Sequence, residues 1–146
     1  MLSKCVLSIL VSAVCLAQEI APAAVEEAVA PVYPGLAVLG RISGSVVVDV
    51  HLSERGAVTG VAATEGEALL RQPSLDAARL WRFRAQPGER DVKLIFSFRL
   101  MPKNTPEAEL GAIFRPPYTV EVRKTTPGPV SHVARNGSGS ARQPAR

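Results

Sequence analysis

The sequence predicts a small α+β domain of ββαβ order, an antiparallel sheet with one main helix on one face. Three observations carry the prediction. Residues 42–53 and 91–100 each alternate apolar and polar side chains, the signature of strands buried on one side only. Between them, residues 67–83 change to a spacing of three and four, which suits a helix. Gly56 then sits three residues past the first alternating run, where a tight hairpin needs a positive φ.

Taken in order, residues 20–32 are rich in Ala, Val, Pro and Glu without turn chemistry, and read as a linker. Tyr33-Pro34 precedes a brief apolar turn or helix between Gly35 and Gly40. In the first strong strand Ile42, Val46, Val48, Val50 and Leu52 share one face, Ser45, Asp49 and His51 the other, with Val47 out of pattern. Residues 57–65 read as the return strand, weakened by Gly60 and the alanines. Pro73 and Ser74 look like start signals, so the helix is expected over residues 73–82, with Leu75, Ala78 and Trp81 on its buried stripe. A lone tryptophan there reads as the plug joining helix to sheet, and the other reading is a partner-binding aromatic. In the last strong strand Val92, Leu94, Phe96, Phe98 and Leu100 face the core, and Ile95 breaks the alternation. Thr105-Pro106-Glu107 predicts a short helix over residues 106–110, and alternation from Tyr118 to Val122 a further short strand.

The two ends differ from this core. Lys4, the apolar run 5–16 and the change to Gln18-Glu19 have the shape of a secretory signal peptide, expected to be cleaved after Ala17. A span needs roughly 17–25 apolar residues, and the run stops short of that. An uncleaved inner-membrane anchor is the alternative. Both cysteines, Cys5 and Cys15, fall inside the signal, so the mature chain is expected to rely on an ordinary core rather than disulfides. From Lys124 onward Gly, Ser, Pro and Arg dominate without a carboxylate side chain, and disorder is expected. The expected organisation is signal 1–17, linker 18–30, domain 31–101, extension 102–123 with a short helix and strand, and basic tail 124–146.

Catalytic chemistry finds little to work with. The two histidines are His51, on the polar face of a strand, and His132, in the tail; His51 reads as a solvated surface residue. No zinc-type His pair, nucleophile elbow or phosphate loop is present. With only 5% aromatic residues there are too few platforms to stack nucleic acid bases. A net charge of +4 keeps the chain soluble without naming a partner. The expectation is therefore no enzyme, no metal or cofactor, no small-molecule substrate and no nucleic acid.

Several strings together resemble the C-terminal domain family of TonB. Tyr33-Pro34, Ala37 and the Ile-Ser-Gly-Ser-Val run around Gly44 resemble the family's opening, and Gly56-Ala57-Val58 resembles its first hairpin. Residues 75–83, ending in Trp81-Arg82-Phe83, resemble its helix, and residues 92–100 its last strand. The resemblance covers residues 31–101. It implies a periplasmic module that grips an extended segment of an outer-membrane receptor, which adds to the sheet as a strand. By that resemblance the receptive edge is the strand 91–100, with Lys93, Ile95, Ser97 and Arg99 as partner-binding positions. An edge strand offers unpaired N–H and C=O groups, so such binding makes loose sequence demands. The partner implied is a receptor peptide or another copy of the chain. The alternative is the same fold reused as a periplasmic scaffold or homodimerisation domain. A full transducer has a membrane anchor and a long spacer, whereas this chain is expected to have a cleaved signal and a short linker. The extension is also expected to be additional to the minimal domain, with residues 118–123 folding back on the last strand or swapping onto a second copy.

Overall fold

Each alternating run forms a strand, because only a pleated chain puts all its apolar side chains on one side. The computed structural model describes residues 21–128. In chain order it contains β1 (Val25–Glu27), α1 (Gly35–Leu39), β2 (Gly44–Leu52), β3 (Val58–Glu65), α2 (Ala68–Arg79), β4 (Arg82–Phe83) and β5 (Arg90–Met101). A single 3-10 turn, Glu107–Glu109, then leads to β6 (Gly111–Arg115) and β7 (Thr119–Thr125). The protein is an α+β fold with helix α2 over one face of a five-stranded sheet, ordered β3-β2-β5-β7-β6.

The core lies between α2 and the sheet. Val46, Val48, Val50 and Leu52 of β2 meet Val92, Leu94, Phe96 and Phe98 of β5, all at most 7% exposed. Helix α2 contributes Leu70, Ser74, Ala77 and Ala78, and the buried Ser74 hydroxyl is satisfied by donating to the Leu70 carbonyl at 2.8 Å. Trp81 is 1% exposed; its indole N–H donates to Val29 O at 2.8 Å and its ring meets Phe96 edge-on. Tyr33, 2% exposed, packs edge-on against Phe98 and donates its hydroxyl to Ile42 O at 2.6 Å, while Pro34 caps α1. Gly56 has φ of 77° and accepts from the Phe83 N–H, and a Cβ there would stand 1.9 Å from the Phe83 carbonyl oxygen. No other residue type fits that approach. Gly44, also outside the usual φ range, opens β2 with free space around it.

Several expectations are corrected. Helix α2 begins five residues before Pro73, which lies inside it, and ends at Arg79, so Trp81 and Phe83 stand beyond the helix. Proline removes only one helical hydrogen bond, and the buried side chains of α2 outweigh that loss. Residues 23–29, read as linker, belong to the fold: β1 pairs with β4, Ala23 is 6% exposed and Val29 holds Trp81. The helix expected over residues 106–110 is only the 3-10 turn. The sheet has five strands: beside the three of the ββαβ core stand β7, which contains the expected extension strand and continues through Lys124 to Thr125, where tail was expected, and β6, which was not anticipated. The expected signal peptide and most of the basic tail lie outside the described residues.

Candidate interaction site

The strand predicted to be an open edge is in the interior of the sheet. β5 pairs antiparallel with β2 along one side and parallel with β7 along the other, from Ile95↔Thr119 to Met101↔Thr125. The Ile95 N–H donates to Tyr118 O at 2.9 Å, so its main chain points toward β7. By strand alternation the main chains of Ser97 and Arg99 point the same way, and those of Leu94, Phe96 and Phe98 point toward β2. Of the four partner-binding positions, Ile95, Ser97 and Arg99 are thus covered by the chain's own β7. Lys93 is not. The physical reason is that Val120 and Val122, at 2% and 6% exposure, bury best when their strand lies directly beside Phe96 and Phe98.

Upstream of Ile95 this side of β5 meets no strand among the described residues. The main chains of Asp91 and Lys93 face a groove of about 540 Å3 lined by residues 21–23, Tyr118 and the start of β5. Tyr118 closes its lower end by donating a hydrogen bond to Ala23 O at 3.0 Å, and Arg90 donates to Ala21 O at 3.1 Å. Burial raises the Tyr118 phenol above the usual tyrosine value. The hairpin β6–β7 is held from the helix side as well, where Phe114 meets Trp81 edge-on with ring centroids 6.0 Å apart.

On the outer face of the sheet the side chains form two charged groups. Glu121 of β7, its side chain 8% exposed, receives Arg123 at 2.7 Å, Arg115 at 3.1 Å and Arg99 at 3.7 Å. The hydrogen bond from Arg123, followed by the charges of all three arginines, lowers the Glu121 pKa. At the other end Lys93 donates to Asp49 at 2.7 Å, and that contact raises its pKa. His51 is hydrogen-bonded to Asp91 with Glu89 nearby; the Asp91 bond chiefly raises its pKa. His51 is half exposed, as a surface residue should be, but it belongs to an ion cluster. Among the described residues no cluster of His, Cys, Asp or Glu is arranged to hold a metal ion, and no helix is long and apolar enough to cross a membrane.

The matching family model is the Gram-negative bacterial TonB protein C-terminal, over residues 29–100. Residues 29–100 form a TonB C-terminal-like domain. Domains of this family are non-catalytic protein-interaction modules, typically periplasmic and involved in TonB-dependent transport. No curated protein matches the chain. Strands β6 and β7 lie outside the matched residues, so the strand that closes β5 is an addition to the TonB-like part.

Sequence reasoning missed two site features. Glu121 looked like one member of a polar strand face, and nothing in the local sequence reveals that three arginines from three strands converge on it. Residues 111–115 did carry a faint signal, with Ile113 and Phe114 apolar between Gly111 and Arg115. Five residues are too few for a period to stand out.

Proposed function

We propose that this chain is an exported periplasmic binding module that takes an extended segment of an outer-membrane receptor as an added strand along β5. One observation carries the reading: β7 lies parallel to β5 in the place an added strand would take, and stops at Ile95. A parallel strand at that position is thus compatible with this backbone. The uncovered main chains of Asp91 and Lys93 supply a foothold from which a segment can pair before β7 is displaced. Lys93 and Arg99 then favour acidic side chains in the incoming segment.

The test is fluorescence anisotropy of labelled peptides from the N-terminal segments of outer-membrane receptors, titrated with the chain and with a form lacking residues 105–146. Tighter binding by the shortened form is expected, because no β7 competes. Absence of binding by both forms counts against the reading. The closed β5 edge also favours a second reading, a periplasmic scaffold or homodimerisation domain without receptor contact. In that case the shortened form self-associates and ignores the peptides.

A further inference from the structure

The sheet face opposite α2 carries features that strand addition does not use. Val47 and Ile95, the two residues that broke the alternation, are cross-strand partners on this face, and Ile95 is 39% exposed. Their main chains point away from each other, toward β3 and β7, so they form a non-hydrogen-bonded pair whose side chains stand close. They make an apolar centre on a face whose other large apolar side chains, Ile113 of β6 and Met101 at the end of β5, lie away from it. On one side of that centre lie Asp49, Asp91 and Glu89 with Lys93 and His51, so acid is in surplus. On the other lie Arg99, Arg115 and Arg123 around Glu121, so base is in surplus. Ile95 is midway along β5 between Asp91 and Arg99, four residues from each. On the β3 flank Gly60 and Ala62 keep this face low.

From this arrangement we infer that the outer face docks on a second copy of itself, face to face, with the two β5 strands antiparallel. A two-fold axis within the interface, crossing the strands at Ile95, sets Ile95 on Ile95 and Val47 on Val47. It also sets Asp91 of each copy against Arg99 of the other. A two-fold along the strands would instead face Asp91 with Asp91, so the charges select the first arrangement. The association is weak. Five strands spaced about 4.8 Å apart and about 23 Å long present roughly 550 Å2 per copy, below the ~800 Å2 per partner of a standard stable interface. It is also sensitive to salt, because its rim is charged and exposed.

The test is sedimentation equilibrium of the chain from about 10 μM to 1 mM at low and high salt. Wild type is expected to dimerise reversibly, more weakly at high salt. Ile95→Glu and the single reversals Asp91→Arg and Arg99→Asp are expected to lower association at least tenfold. An equimolar mixture of the two single reversals is expected to form a heterodimer, since each then meets its opposite charge. Melting followed by circular dichroism verifies that the exposed substitutions leave the fold intact. A wild type that is monomeric at 1 mM overturns the inference. So does a dimer indifferent to these substitutions, which is the result an edge-to-edge or strand-swapped dimer gives. The receptor-peptide titration is a separate measurement, and its outcome leaves this one standing.

Discussion

Replacing Val120 and Val122 together by alanine should detach β7 while leaving β2 and β5 joined. Each valine is almost fully buried, at 2% and 6% exposure. Each substitution removes two methyl groups, about 0.8 kcal/mol apiece, and leaves a small cavity, so about 2 kcal/mol is lost per site. The double variant therefore loses about 4 kcal/mol of hairpin docking, roughly a thousandfold in the opening equilibrium. The assay is amide hydrogen exchange resolved by residue. The N–H groups of Ile95, Ser97 and Arg99 point toward β7, whereas those of Leu94, Phe96 and Phe98 bond β2. Opening of β7 alone accelerates the odd-numbered set by up to that thousandfold and spares the even-numbered set. Equal acceleration of both sets refutes the reasoning, because β7 then leaves only when the whole domain unfolds.

Other outcomes follow from the same structure. Trp81→Phe strands the Val29 carbonyl and loses ring contact with Phe96, costing about 1–3 kcal/mol in denaturant unfolding; an unchanged midpoint contradicts the plug role. Gly56→Ala forces a side chain to within 1.9 Å of the Phe83 carbonyl oxygen at a φ of 77°, so a loss of at least about 2 kcal/mol is expected. Tyr33→Phe removes the bond to Ile42 O and should cost about 1 kcal/mol, read from its melting curve. The Glu121 pKa is depressed in the folded state, so its arginine contacts stabilise fully above the ordinary glutamate value and are lost as pH falls through the folded value. Glu121→Gln should flatten the acid limb of stability against pH in that window, and an identical acid limb refutes the network.

The two strong strands, the Gly56 hairpin and the core residues of β2 and β5 were legible because alternation is a local property, printed along any strand with one buried face. Val47 and Ile95 were legible too, though only as exceptions. The start of α2 was not legible, since Pro73 imitates a start signal and only packing tells whether its lost hydrogen bond is tolerated. Periodicity also put Trp81 on the helix, whereas the helix ends at Arg79 and the short connection to β4 delivers the same ring to the core.

By itself the sequence determined which residues seek burial, where the chain turns, and the string of motifs that marks residues 31–101 as TonB-like. Only the tertiary structure decided which strand has a free edge, which arginines share Glu121, and that residues 23–29 are docked rather than linking. These depend on contacts between residues far apart in the chain. Val120 reaches Phe96 and Trp81 reaches Val29 only after the sheet and helix exist, and no local pattern records who the distant neighbour will be.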